Sequence, residues 1–404
     1  MSLAVAILGL ALLILVHEAG HFFVARLTGM KPTRFYIGFP PALVKVTRKG
    51  IEYGIGAIPL GGYVKIPGMH RPSASDVDMH LAAALNEAPQ LYGPVERLKR
   101  PLTEGQLDEA EDAVNELDDA VGRSFVSAGA SRAAERGVRE IREALSPQAY
   151  WRQRAWKRVL VIFAGPGTNL VFAIVLFTIL FMVGGGKPTL KVDAVLPDHP
   201  AAAAGLRAGD RIVAINSVPV TATQVQKVIS GSRGRPLELL IERGDRLIPL
   251  KRVRPKKEGG AYRLGFLLGG GGLSAPDAAW HSIRLTGLVT KQIGLTLSHL
   301  VHGEGRKEIS SPVGIVQGSS TALNQGLQDY LWVLGLISLS LALLNLLPLL
   351  PLDGGHITFS IVEGIRGRAV RKEVYERVSA VGIFLVVLLF FVGLSNDIGR
   401  LGGG

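Results

Sequence analysis

Four long apolar runs divide this chain, and the stretches between them follow different patterns. Residues 2–16 are apolar without a break, and 22–25 resume the run after five residues of mixed character, giving a segment long enough to cross a bilayer. Residues 159–183, 330–350 and 378–394 form the other three runs. From Phe35 to Met69 the chain changes to short β-forming runs broken by glycine and proline, and Lys49-Gly50 supplies a turn, so a hairpin is expected. Residues 72–147 are polar and rich in Ala and Glu, with helical pieces expected at 103–121 and 131–145. That stretch carries no chemical motif and reads as a flexible or family-specific elaboration. Residues 191–268 are a soluble module: strand-like runs at 237–242 and 246–252 follow a helix-like run at 222–230. Residues 276–302 are amphipathic, with Trp280 as an interfacial anchor.

These patterns divide the chain into 1–30 (first span), 31–70 (hairpin region), 71–150 (cytosolic helical insertion), 151–186 (second span), 187–270 (soluble domain), 271–329 (interfacial segment), 330–356 (third span) and 357–404 (loop, fourth span and tail). The fold class is a polytopic α-helical membrane protein with four transmembrane helices, a membrane-associated β-hairpin and an extracytoplasmic domain.

Composition agrees: 48% of the 404 residues are hydrophobic, and the apolar residues come in blocks. The formal net charge of +12 could point to nucleic acid, but the cations gather at the ends of apolar runs and through the soluble module without interleaved aromatics, so a membrane surface is the better match. Arg26, Lys31 and Arg34 follow the first run; Arg152, Arg154, Lys157 and Arg158 precede the second; Arg366, Arg368, Arg371 and Lys372 separate the third from the fourth. By the positive-inside rule these ends face the cytosol, and both termini and the soluble module lie outside. No basic stretch precedes the first run and no small-residue cleavage site precedes its histidines, so the segment is expected to be retained.

Within the first run stands His17-Glu18-Ala19-Gly20-His21. Residues four apart share one helix face, so His17 and His21 can present nitrogens to one metal ion, with Glu18 flanking its open position. Ionisable residues inside a span are costly and mark function. Cysteine is absent, so any metal site must be built from His, Asp and Glu. The first and third runs end at the same membrane face, where Asn345 and Leu352-Asp353-Gly354-Gly355-His356 stand, so Asp353 can meet the histidines. Two histidines and one carboxylate leave a zinc position open for water, the requirement of a hydrolase, and Glu18 can take that water's proton and pass it to the leaving amine. His356 is a ligand by type, but its spacing favours an outer or structural place. Asn345 can hold a substrate carbonyl or join helices. Near the start of the second run, Gly165-Pro166-Gly167-Thr168-Asn169 allows close helix approach, and Asn169 needs a polar neighbour. Asn169 and Asn345 are the candidate substrate contacts in the membrane.

The soluble module, with Gly205-Leu206-Arg207-Ala208-Gly209-Asp210-Arg211-Ile212, resembles a PDZ domain. The resemblance implies the bacterial strand order, with the carboxylate-binding strand last at Leu264-Gly265-Phe266, and peptide capture by strand addition. His-Glu-x-x-His, Phe-x-Gly-Pro-x-x-Asn and the Asn345 to Asp353 stretch together resemble the bacterial site-2 intramembrane zinc metalloproteases of the regulator-of-sigma-E type. Here Pro351 stands one position later than in that pattern, while Leu-Asp-Gly is intact. The match spans nearly all the chain except 72–147. It implies zinc, the inner membrane, and cleavage of a single-span protein already trimmed by a site-1-type protease, an anti-sigma factor or signal-peptide remnants being the target class. A hairpin edge beside the site could pair with an unwound substrate, or the hairpin could simply cover the loop. The alternatives are a non-catalytic PDZ-bearing scaffold, for which Glu18 has no use, and a metal-dependent transporter, for which inverted repeats are missing.

Overall fold

The first apolar run is one helix, α1 (Ser2–Leu27), and its sequence explains why: no proline, and only two glycines in 26 residues. The computed structural model describes residues 2–185, 187–244, 246–258, 260–301, 310–370 and 372–402. After α1 come strands β1 (Arg34–Arg48) and β2 (Ile51–Lys65), helices α2 (Ala74–Glu87), α3 (Tyr92–Glu104), α4 (Leu107–Arg123) and α5 (Ala128–Leu145), and the long helix α6 (Ala155–Leu180). Strand β3 (Lys187–Val195), helix α7 (Pro200–Ala203), strands β4 (Arg211–Ile215) and β5 (Val218–Pro219) and helix α8 (Ala222–Gly231) follow. Then come β6 (Leu237–Arg243), β7 (Arg246–Val253), β8 (Lys256–Glu258), β9 (Ala261–Arg263) and β10 (Phe266–Gly271). The chain closes with α9 (Ala275–Val301), α10 (Pro312–Gln325), α11 (Leu327–Asn345), α12 (Asp353–Arg366) and α13 (Lys372–Gly402).

Among the described residues four helical stretches are long and apolar enough to cross a membrane: Ser2–Leu27, Ala155–Gly184, Leu327–Asn345 and Glu373–Gly399. They coincide with the four apolar runs, with shifted ends. The third stops at Asn345, five residues short of the expected end, because Pro348 and Pro351 cannot donate to a helix ladder and disfavour helical geometry before them. His302 and Arg371, which the sequence reading included in the interfacial segment and the cytosolic loop, and Gly186, assigned to the end of the second span, lie outside the described residues.

The chain forms two compact units, one of Met1–Phe172 with Ile293–Gly404 and one of Ala173–Gln292. In the first unit the hairpin is more than a pair. Arg48 and Ile51 flank its Lys49-Gly50 turn, and Ala42 to Arg48 pairs back on Ile51 to Gly56. The opening of β1 is paired twice: Arg34 to Ile37 lies beside Glu52 to Ile55, numbers rising together, and beside Gly62 to Val64 and Lys65, numbers opposed. The far side of Gly62 to Lys65 is therefore an edge. Phe39, Leu43, Val44, Val46, Ile55 and Ile58 are exposed, so this sheet shows an apolar surface.

Residues 72–147 form four helices, not the two expected. Pro94 sits in the first turn of α3, where its missing N–H costs nothing, and Pro101 lies inside the same helix. Nor is the segment a loose elaboration: Val77, Leu81, Leu98, Leu117, Val138 and Ile141 share one core. Ser73 caps α2 through a capping box with Asp76. The bundle leaves and rejoins the first unit at one place, where Tyr150 N–H donates to Pro67 O (2.9 Å) and Trp151 N–H to Gly68 O (3.0 Å).

In the second unit the strand order is β10-β3-β4-β6-β7, with β5 off β4. Its core includes Val192, Ile212, Ile215, Val225, Leu239 and Ile241. Asp210 is buried beneath it; its carboxylate accepts Arg243 Nε (2.7 Å), Arg243 Nη2 (2.8 Å) and Arg207 N–H (2.8 Å). The bonds from Arg243 hold the Asp210 carboxyl below the usual carboxylate range, with the Arg207 N–H acting in the same direction against the effect of burial. A depressed value stabilises the fold above the unfolded carboxyl pKa of about 3.9, and the gain is lost as pH falls through the folded value. In the intact protein, Asp210→Ala should therefore speed amide exchange at 206–215 by roughly ten-fold or more at pH 7, the size of a lost charged hydrogen bond. The difference from the parent should narrow below about pH 4. Equal protection at pH 7 would show that the pair contributes nothing.

Candidate active site

His17 and His21 lie on the buried face of α1, one turn apart, and Asp353 opens α12. The aspartate reaches them because Gly354 and Gly355 let the chain fold tightly into the helix: a side chain at Gly355 would come within 2.6 Å of Leu350 N, and one at Gly354 would strike the Leu346 and Leu347 carbonyls. Asp353 Oδ2 stands 3.1 Å from His17 Nε2 and 3.4 Å from His21 Nε2, and the two nitrogens are 3.3 Å apart. Ligands about 2.0–2.2 Å from a tetrahedral zinc lie roughly 3.3–3.6 Å from one another, so this triangle fits that ion. Among the described residues it is the one cluster of three such side chains able to share a metal. Asp353 Oδ2 is buried and accepts no well-formed hydrogen bond, as befits an oxygen facing a cation.

The ring orientations suit the same reading. His21 Nδ1–H donates to Val161 O (2.9 Å), which leaves the Nε2 lone pair for the metal. Asn169 is fully buried, its amide 3.4 Å from His17 Nδ1 and its Oδ1 without a partner. Asn169, a candidate substrate contact by sequence, is thus packed against His17. Its backbone is tied in turn: Ser338 Oγ on α11 donates to Asn169 O (2.8 Å).

Helix α6 approaches α1 closely because of its small residues. A Cβ at Gly20 would come within 2.6 Å of Thr168 Oγ1, whose hydroxyl donates to Val16 O (3.0 Å). A Cβ at Gly165 would strike His21 Nε2 and lie 2.9 Å from His17 Nε2. Gly165 therefore forms the floor of the His17–His21–Asp353 triangle, a role the sequence reading did not assign. Its signal, a glycine in Phe-Ala-Gly-Pro-Gly-Thr-Asn, was visible only as a helix-packing feature.

Glu18 stands next to the ligands with its carboxylate against the hairpin: a Cβ at Gly62 would lie 2.8 Å from Glu18 Cδ and Oε1. Asn345 ends α11 half-buried, and its side chain has no hydrogen-bond partner among the described residues. His356 is outside the triangle, paired with Tyr375 of α13 (Tyr375 OH to Nδ1, 2.6 Å). Of the residues expected to bind a peptide in the second unit, Leu264 is buried in the core with its carbonyl taken by Ala201 N–H (2.9 Å). Gly265 turns the chain at φ 78° where a Cβ would strike His199, and Phe266 opens β10.

A nearly full-length match decides the family: the sequence fits Peptidase family M50 over residues 5–389. The chain belongs to peptidase family M50. Relatives of this peptidase include a Brucella suis protein named as a candidate zinc metalloprotease, 29% identical over 96% of this chain and 93% of its own length. A Lactococcus lactis protein with the same designation is 28% identical over 96% of each chain. So is an Enterococcus faecalis protein named as a probable protease, again over 96% of each. The M50 chain is a membrane zinc metalloprotease.

Proposed function

We propose that this peptidase hydrolyses a peptide bond in or beside the transmembrane helix of a single-span protein, with His17, His21 and Asp353 holding zinc and Glu18 moving the proton. The observation that carries the assignment is the convergence of three ligand atoms from α1 and α12 into one triangle of 3.1–3.4 Å with Glu18 alongside. Zinc, when bound, lowers the pKa of water toward neutrality and polarises a carbonyl. Glu18 accepts a proton from the attacking water and returns it to the leaving amine. Val161 O and Asn169 fix the rings of His21 and His17, so neither ligand turns during the reaction.

A helical substrate hides its peptide bonds in its own hydrogen bonds, so it must unwind to be cut. The edge at Gly62 to Lys65, beginning beside Glu18, offers backbone partners to an extended strand, and the free amide of Asn345 offers another. The basic residues after α1, before α6 and after α12 support a bacterial inner-membrane topology. In it the site lies toward the cytosol, and both termini and residues 187–270 are extracytoplasmic.

We read residues 187–270, within the second unit, as a PDZ domain. Its sheet order supports this, as does β10, which among the described residues pairs with β3 alone and leaves its other side for a peptide. Such a domain outside the membrane sorts substrates by a newly made C-terminus or by bulk, which places an earlier cut by another protease before this one. Anti-sigma factors and signal-peptide remnants are the classes that match. The test is cleavage by the purified protein in detergent of one single-span substrate, with its folded ectodomain or with that domain removed. The trimmed form should be cut at least about ten-fold faster, a difference of about 1.4 kcal/mol in barrier. Equal rates would remove the sorting role and keep the hydrolase.

A further inference from the structure

Away from the metal triangle, an apolar groove of about 510 Å³ runs between the start of α6 and the end of α12. Trp156, Val159, Leu160 and Phe163 form one wall, Ile361 and Ile365 the other. The two helices are pinned at one end. A Cβ at Gly364 would lie 2.7 Å from Ala155 Cβ, and Arg158 Nη1 pairs with Glu363 across the same contact.

The cations at that end fall into two groups. Arg152 pairs with Glu111 (2.9 Å), Lys157 donates to Thr28 O (3.0 Å), and Arg158 is paired with Glu363. Arg154, Arg366 and Arg368 are exposed, and among the described residues their side chains have no partner. Arg154 directly precedes groove residue Ala155, and Arg366 directly follows groove residue Ile365. Glu363, three residues before Arg366, is occupied by Arg158 and by Val370 N–H (2.8 Å). The first turn of α6 adds backbone N–H groups and the positive end of a 26-residue helix. Trp156, 56% exposed, stands at the same level, the depth at which tryptophan anchors in a bilayer interface.

An apolar channel ending in unpaired guanidinium groups is amphipathic in the sense of a lipid. We propose that this groove binds an anionic phospholipid, an acyl chain along α6 and α12 and the phosphate against Arg154, Arg366 and Arg368. Basic pockets between membrane helices on the cytoplasmic side take anionic headgroups for the same reason. The volume is of small-ligand size, within roughly 300–1,000 Å³, and the cations cap one end instead of lining the length, which suits a headgroup and chain better than the side of another helix. The site lies at the end of α12 opposite Asp353, so a seated lipid also fastens the helix that carries that ligand.

The test uses the full chain in phosphatidylcholine vesicles, with tryptophan quenching by phosphatidylglycerol or phosphatidylcholine brominated on the acyl chain. Trp156→Phe identifies the signal from this position. Phosphatidylglycerol should quench the parent at a lower mole fraction than phosphatidylcholine, and Arg154→Gln/Arg366→Gln/Arg368→Gln should weaken it roughly 10- to 100-fold. The parent comparison stands without the variant, so a misfolded triple mutant does not rescue the proposal. Equal quenching by the two lipids in the parent overturns it. So does displacement of the bromolipid by inorganic phosphate alone, which marks a free-anion site, or by a single-span substrate, which gives the groove to a helix.

Discussion

Replacing Glu18 by Gln lowers peptide-bond cleavage by about 10²–10⁴-fold, the usual contribution of a positioned acid–base group, while bound zinc stays at the parent's level. The separation of the two readouts follows from the geometry. The three atoms that form the triangle belong to His17, His21 and Asp353, and Glu18 lies alongside with its carboxylate against Gly62. Glutamine keeps that shape and that contact but cannot accept the proton of the attacking water. Single-turnover cleavage of a trimmed single-span substrate, with metal content by mass spectrometry on the same sample, measures both quantities. A variant that cuts within ten-fold of the parent would move the base to another residue; loss of zinc with activity would make Glu18 part of the ligand set.

Gly165→Ala is expected to remove zinc and activity together, although it adds one methyl group to a helix and raises intrinsic helix propensity by about 1 kcal/mol. The added carbon would strike His21 Nε2 and come within 2.9 Å of His17 Nε2, so neither nitrogen could keep its place in the triangle. Gly167→Ala, two residues on, is the comparison: there the nearest atom is Phe163 Cε1 at 3.2 Å, the rim of a partly exposed ring that can shift. Zinc content and thermal stability of the two variants decide the matter. If Gly165→Ala binds zinc like the parent, the helices spread more readily than close packing allows, and Gly165 is a packing residue only.

Much of this site was legible in the chain because it is local. His17 and His21 are one turn apart on a continuous apolar helix, and Asp353 follows from where two spans end. Gly165 was not, because a glycine that makes room for a metal and one that lets helices touch look alike until the opposing atoms are known. The sequence asks for a polar neighbour for Asn169, but only the tertiary packing shows that neighbour to be His17. The hairpin was plain from Lys49-Gly50, whereas the second pairing of Arg34 to Ile37 was hidden: it joins residues nearly thirty positions apart across a run interrupted by Gly61 and Gly62. In residues 72–147 the expected helical pieces, 103–121 and 131–145, match α4 and α5, whereas α2 and most of α3 lie before them.

The two backbone bonds at Pro67 and Gly68 give that inserted bundle a particular standing. They bring its entry and exit together, and the Lys65–Glu140 ion pair ties the bundle to the hairpin as well. Closing a flexible loop costs only about 0.6 kcal/mol more for each doubling of its length. Because the two ends already meet, a change of length within the bundle need not move Pro67 or Tyr150, and so need not reach the helices that carry His17 and Asp353.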